Sequence, residues 1–324
     1  VLREEEIRGL IGPRAALAAV RDAFARLARG EATLPGVIGL DIPARQGEVH
    51  VKGAYLHGSR YYSIKEAAGF YANAAQGLPV SSGLVLVFDA ATGFPAALLL
   101  DNGYLTELRT GAAGALAADL LARRDVETVG IVGSGGQARY QLEALLEVRR
   151  PRRVLVYGRS PERAAACARE MHERFGLAVQ AVASVREAAE PADLLITATP
   201  SRAPLVRAEW LRPGVHVTAL GSDGPDKREL DVAVLARADK VVADRLAQCL
   251  RLGEIHHAVE AGAMRAEDVH AELGEIAAGL EPGRASDVEI TVADLTGVGV
   301  QDAAVADFVT NAAVEGGLGQ MLAL

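Results

Sequence analysis

The chain has 324 residues and a net charge of −8, enough length for two domains with cores of their own. Half the residues are hydrophobic but only 4% are aromatic, so the cores must be built largely from Ala, Val and Leu. No basic block stands out, no apolar run reaches about 18 residues, and the acidic start VLREEEIRGL lacks an apolar signal core. These features argue against nucleic acid and membrane as partners and point to a cytoplasmic protein.

Taken in chain order, residues 4–29 carry apolar side chains at helical spacing (Ile7, Leu10, Ile11, then Leu17, Val20, Phe24, Leu27) and predict one or two amphipathic helices. Residues 37–51 read as β structure broken at Pro43 and Gly47. Residues 49–55 and 61–65 read as strands joined at His57-Gly58-Ser59, and 84–89 with 96–101 as an antiparallel pair across Ala91-Thr92-Gly93. A long alanine-rich helix follows over 106–122, with Thr106 placed to cap it.

Residues 128–160 read as strand, glycine turn, helix, strand. Gly133-Ser134-Gly135-Gly136-Gln137-Ala138 matches G-x-G-x-x-A directly after the apolar run Val129–Val132. In a βαβ unit of about 30 residues this is a dinucleotide signature: Gly133 permits the turn, Gly135 lets a pyrophosphate approach, and Ala138 keeps helix and sheet close. An NAD site usually carries Asp or Glu at the end of the second strand. Here Tyr157-Gly158-Arg159-Ser160 offers no acid. Gly158 leaves room, Arg159 supplies charge and Ser160 a donor, as a 2′-phosphate would require. The expected cofactor is therefore NADP(H), preferred over NAD(H), unless Arg159 is only a solvated loop residue.

Beyond this unit, a helix over 161–175 and a short one over 185–190 alternate with strands at 178–181, 193–197, 215–219, 240–243 and 289–292. Such alternation predicts a parallel sheet with helices on both faces. A helix over 301–315 stops at Gly316-Gly317. The expected architecture is α/β, with a Rossmann domain (124–300) inserted in a discontinuous α+β domain made of residues 1–123 and 301–324.

Ligands of open α/β sheets sit at the carboxyl ends of strands, here Thr197-Ala198-Thr199-Pro200 and Gly221-Ser222-Asp223. Asp223 either exchanges a proton with a substrate nitrogen or bonds its own turn. Only four of the 34 basic residues are lysine, namely Lys52, Lys65, Lys227 and Lys240, so each is a candidate for work that a guanidinium cannot do. Lys65, ending a strand, can bind a carboxylate or polarise C=N, or else snorkel at the surface. Arg109 either takes a carboxylate in its fork or pairs with an acid such as Glu107. The pair His256-His257 reads as structural or solvated. Cys167 and Cys249 follow no ligand spacing, so no metal site is expected.

Together these residues resemble the ornithine cyclodeaminase/mu-crystallin family over nearly the whole chain. The resemblance rests on Ser63-Ile64-Lys65, Gly77-Leu78-Pro79, Leu108-Arg109-Thr110, Gly133–Ala138, and Gly221-Ser222-Asp223 with Lys227, Glu229 and Leu230. Thr296-Gly297-Val298-Gly299-Val300-Gln301-Asp302 completes it. It implies a homodimer whose discontinuous domain serves substrate binding and dimerisation, with a small amino or imino acid bound between the two domains. By motif, Lys65 corresponds to the active-site lysine, Arg109 to the carboxylate-binding arginine, and Asp223 to the catalytic aspartate; in the expected mechanism Lys65 or Lys52 assists Arg109 in binding the carboxylate. Gln137, Ala138, Thr199 and the loop from Gly297 to Val300 correspond to cofactor contacts; Gly136, Arg159, Ser160 and Lys227 are added to that set. An NADP-type pocket favours net reduction of C=N in an α-imino acid or ketimine, or its reverse. The rivals are an ornithine-type cyclodeaminase, which recycles bound NAD and releases ammonia, and a non-enzymatic NADPH-binding protein.

Overall fold

The computed structural model describes residues 1–322, in two units: Val1–Arg109 with the chain from Val298 on, and Thr110–Gly297. The first begins with β1 (Leu2–Arg3), α1 (Glu4–Leu10), α2 (Pro13–Ala28), β2 (Ala32–Thr33) and β3 (Ile38–Ile42). It continues through β4 (Gly47–Leu56), β5 (Tyr61–Phe70), β6 (Ser81–Asp89) and β7 (Pro95–Leu100) to α3 (Tyr104–Leu121). The sheet runs β1-β7-β6-β5-β4-β2, with β3 also on β4. β4 and β5 are each ten residues long, well beyond the predicted strands. Their pairing, not local propensity, extends them.

Because directly opposed residues face the same side, the register sorts this sheet into two faces. Lys52 lies opposite Lys65, Lys65 opposite Val85, and Val85 opposite Leu99; all four are buried. The other face carries Val51 opposite Ile38, and Ile64 opposite Leu86. There Ile38, Leu40, Ile64 and Leu86 are exposed. The predicted cap of α3 is corrected: the helix begins two residues before Thr106, and Leu105 N–H donates to Asp101 Oδ2 at 2.8 Å.

The second unit holds β8 (Thr128–Val132), α4 (Gly136–Leu145), β9 (Arg153–Tyr157), α5 (Pro161–Phe175), β10 (Ala178–Ala181), α6 (Val185–Ala189) and β11 (Leu194–Thr197). β12 (His216–Ala219), α7 (Val232–Arg237), β13 (Lys240–Ala243), α8 (Leu246–Cys249), α9 (Gly253–Glu260), β14 (Ala271–Glu272), α10 (Leu273–Ala277) and β15 (Thr291–Asp294) follow. The sheet is parallel throughout, in the order β10-β9-β8-β11-β12-β15-β13-β14. β8 and β11 are neighbours although the chain visits β9 and β10 between them, so the order reverses there. That reversal is the switch point at which open α/β sheets bind ligands. Thr128–Val132 is buried throughout, as expected of a strand covered on both faces.

The division between units falls inside α3, at Arg109/Thr110, and at Gly297/Val298, rather than at 123/124 and 300/301. The later half of α3 is tied to the second unit by a buried guanidinium. Arg149 donates to the carbonyls of Ala118, Asp119, Ala122 and Arg123, while Arg284 and Thr291 take those of Leu120 and Leu121; together they satisfy the helix's last acceptors, and Arg149 sets a cation at its negative end. Gly111 and Gly114 let α4 approach, since a Cβ on either would meet Tyr140 O or the Gln141 side chain.

α11 (Gly299–Gly316) returns the chain to the first unit and covers its inner sheet face. A Cβ on Gly299 would lie 2.4 Å from Gly53 O, so glycine there allows the start of α11 to reach β4. No helix of the described residues is long and apolar enough to cross a membrane.

Candidate active site

The inner face of the first unit closes over a group of charges. β5 carries Lys65, β4 carries Lys52 beside it, α3 carries Arg109 and α11 carries Asp302; all are buried. Asp302 Oδ1 accepts from Lys65 Nζ at 3.0 Å and from Arg109 Nε at 2.9 Å. Arg109 Nη1 donates to Gln301 Oε1 at 2.7 Å. That contact fixes the Gln301 amide and turns its N–H₂ group away from the guanidinium. Arg109 thus pairs with Asp302, and not with Glu107 as one sequence reading allowed. Among the described residues, Ser63 Oγ, Asp101 Oδ1, Gln301 Nε2 and Asp302 Oδ2 are buried polar atoms of this region without a hydrogen-bond partner. Orphaned atoms of this kind, beside buried cations, suit a small polar ligand.

Burial, with repulsion from Arg109 and Lys52, pushes the Lys65 ammonium down to about 7, against the attraction of Asp302. The same cations hold the Asp302 carboxyl below its ordinary value, although burial opposes them.

In the second unit the glycine turn sits at the end of β8. Gly133 has φ +125°, and a Cβ there would lie 2.5 Å from Ala198 O in the loop after β11. Gly135 has open space where its Cβ would be, and it precedes α4 with no side-chain cap. Arg139 donates to the carbonyls of Ser134 and Gly135 while pairing with Glu170 at 2.6 Å. Ala138 is buried. A glycine cradle with an uncapped helix N-terminus at the switch point fits a dinucleotide pyrophosphate.

The neighbouring loops are pinned by carboxyl groups to which the sequence assigned no role, Glu229 having entered only as part of a family motif. Glu229 accepts from Thr197 Oγ1 (2.7 Å), Thr199 N (2.6 Å), Thr199 Oγ1 (2.7 Å) and Gly221 N (2.9 Å). It thereby joins the loops after β11 and β12. Glu254 accepts from the N–H groups of Glu229 and Leu230, and Asp294 from Ile255 N–H. Asp244 accepts from Gly297 N–H at 2.7 Å and Thr296 Oγ1 at 2.9 Å. Burial pushes Glu229 and Asp294 up to about 7 and Glu254 upward as well. Thr199 and Gly297, both expected to touch cofactor, are therefore held from behind by buried acids.

Asp223 Oδ1 accepts from Lys227 Nζ at 2.6 Å, so the expected catalytic acid and this expected cofactor contact form a pair. Gln137 Oε1 accepts from Gln141 Nε2. His257 Nε2 bonds the Lys227 carbonyl, and His256, His257 and Glu260 bring potential metal-ligating atoms within 4.8 Å of one another. Cys167 and Cys249 are buried free thiols.

The segment expected to hold a 2′-phosphate is built differently. The space that Gly158 leaves is filled by Ser134, whose Oγ would lie 2.4 Å from a Cβ there. Ser160 caps α5, accepting from Arg163 N–H, and its hydroxyl donates to Glu162 at 2.8 Å. Arg159 is exposed. The Glu162 carboxylate, bonded to Ser160 in the first turn of α5, disfavours a second phosphate there.

Comparisons with known proteins agree. The sequence model of the ornithine cyclodeaminase/mu-crystallin family matches residues 1–317. The Thermococcus litoralis Delta(1)-pyrroline-2-carboxylate reductase, solved with NADH and L-proline, is 35% identical with a TM-score of 0.95, covering 99% of each chain. An archaeal alanine dehydrogenase dimer with bound NAD is 40% identical with a TM-score of 0.91, covering 98% of this chain and 97% of that one. The iminosuccinate reductase of Paracoccus denitrificans, solved with NAD+, is 33% identical with a TM-score of 0.90, covering 100% and 98%. These NAD(H) complexes overturn the expected NADP preference, and the filled Gly158 space and the Ser160 cap explain why the strand-end segment misled. The family match over residues 1–317 and these likenesses across nearly the whole chain establish that the chain belongs to the ornithine cyclodeaminase/mu-crystallin family.

Proposed function

We propose that the chain is an NAD(H)-dependent oxidoreductase that reduces the C=N bond of a small α-imino acid and, in reverse, oxidises the corresponding amino acid. The observation that carries this reading is the buried group of Lys65, Arg109 and Asp302. An α-imino acid brings one carboxylate and one basic nitrogen, and this group offers a guanidinium fork and an amine able to give up a proton near neutral pH.

In this mechanism Arg109, steadied by Gln301 and Asp302, takes the substrate carboxylate, with Lys52 adding positive charge. Lys65 gives a proton to the imine nitrogen and makes the adjoining carbon a better acceptor. In the second unit Asp223, paired with Lys227, is the acid that the family motif assigns to proton exchange. Gly133, Gly135, Gly136, Gln137 and Ala138 hold the dinucleotide, with Thr199, Lys227 and Gly297 along its length. When bound, the nicotinamide supplies or accepts the hydride. The protein's own contribution is orientation and charge stabilisation.

One panel tests this: a cyclic imino acid, pyruvate with ammonia, iminosuccinate and ornithine, each with NADH, NADPH or NAD+, reading absorbance and ammonia together. NADH oxidation with at least one imino acid is expected, with NADPH at least about tenfold poorer in kcat/KM (~1.4 kcal/mol). Ammonia release from ornithine with no net NADH oxidation on any imino acid would sink the reading, as would tight NADH binding without turnover.

We further infer that this chain, like the archaeal alanine dehydrogenase solved as a dimer, is a homodimer, and that the outer face of its first sheet forms the contact. Ile38 at 65% and Leu40 at 59% exposure extend one apolar surface with Ile64 and Leu86, more than a lone subunit usually leaves bare. Sedimentation equilibrium should give twice the subunit mass, falling to one with Ile64→Glu/Leu86→Glu. A wild-type monomer at micromolar concentration would rule the dimer out.

A further inference from the structure

Asp302 has no role in any reading above except as a partner of other residues, yet its geometry is unusual. A single oxygen, Oδ1, accepts from both Lys65 Nζ and Arg109 Nε, at 3.0 and 2.9 Å. The other oxygen, Oδ2, is buried without a partner. A carboxylate retained only to tie α11 down would gain by engaging both oxygens, because an unmet buried acceptor is costly. Arg109 keeps a second anchor at Gln301, whereas Asp302 is the side chain to which Lys65 Nζ donates.

We propose that Asp302 is a positioning residue that holds Lys65 in its ammonium form and aims Nζ, so that the proton to be transferred is already in place. Lys65 faces charge from four directions: Lys52 on β4, Arg109 on α3, Asp101 just before α3, and Asp302 on α11. Lys52 and Arg109 oppose its protonation, as does burial. Asp101, itself pushed towards its neutral form by burial, is a weak counter-charge. Asp302, held ionised by its cationic neighbours, is the strong one.

Asp302 favours the charged amine, so its removal lets the proton leave at lower pH. Losing an adjacent opposite charge moves a buried group by about one pH unit or more. This inference rests on the reading of Lys65 as proton donor, and the experiment separates the two.

With four lysines in the chain, lysine labelled with 13C at Cε gives a spectrum simple enough to follow each amine, and Lys65→Met assigns one signal. The wild-type Lys65 signal should titrate at about 7. In Asp302→Asn the midpoint should fall by at least about one unit, and the alkaline limb of kcat/KM should move down with it. An unmoved midpoint overturns the proposal. A midpoint that falls while the pH–rate limb stays put leaves Asp302's hold on Lys65 standing and removes Lys65 as proton donor. If Asp302→Asn does not fold, Asp302→Glu carries the test. It keeps the charge but displaces it by one methylene, so the midpoint should stay within about half a unit while kcat drops on the order of tenfold at unchanged KM. An undiminished kcat in that variant also overturns the proposal.

Discussion

Lys65→Met should lower kcat for imino-acid reduction by about 10²- to 10⁴-fold, the range typical for loss of a positioned proton donor. Stability should not fall with it. The lysine ammonium is displaced from 10.5 to about 7, a penalty on the charged form of about 5 kcal/mol against water. Methionine fills similar length without that penalty, and Asp302 keeps Arg109 as partner. NADH affinity should stay within about twofold of wild type, because a donor acting in the chemical step is not needed to bind cofactor. Steady-state kinetics, thermal unfolding and calorimetric NADH binding together check this. A variant that unfolds early, or one that keeps more than about a tenth of wild-type turnover, would contradict the role assigned to Lys65.

Gly135→Ala should separate folding from cofactor binding. The residue has φ −82°, ordinary for any side chain, and a Cβ there meets nothing within 4 Å. The apoprotein should therefore unfold within about 1 °C of wild type, the methyl costing no contact and gaining a little from reduced freedom of the unfolded chain. The open space is the reason the turn is read as a cradle, and a methyl group would stand in it. NADH affinity should fall by about tenfold or more, some 1.4 kcal/mol. Gly133→Ala is the contrasting case: its φ of +125° and the close Ala198 carbonyl predict a loss of stability as well, of about 1–3 kcal/mol. Undiminished NADH affinity in Gly135→Ala would mean that the dinucleotide is not held on this turn.

The parts legible in the sequence were those with local cause. The βαβ unit declares itself by strand length, glycine spacing and helical periodicity within residues 128–157. Lys65 and Arg109 stood out through lysine scarcity and motif, and the fold does bring them to one carboxylate. That carboxylate stood in the sequence only as the end of the 296–302 family motif, with no role of its own. Asp302 is 237 residues from Lys65 and 193 from Arg109, and nothing local marks it among the first residues of a helix. The part played by Glu229 was hidden for a similar reason: named only within a motif, it lies in an irregular segment and is buried because two strand-end loops close around it. The cofactor error had a local origin. Gly158, Arg159 and Ser160 were read as facing a ligand, whereas Ser134 and the α5 N-terminus already use the first and the last. The missed cap of α3 is of the same kind: Thr106 had the right residue type, but Asp101 held the acceptor position.

The scarcity of lysine has an experimental consequence. Lys52, Lys65 and Lys227 are buried, and Lys240 is held against the Gly283 carbonyl and Glu289. A reagent that acylates side-chain amines will thus find few nucleophiles on the native surface and four in the denatured chain. Acylation becomes a clock: its rate at each lysine measures how often that part of the molecule opens, and mass spectrometry reads the four sites separately. The two units can then be timed independently, Lys52 and Lys65 reporting one and Lys227 and Lys240 the other.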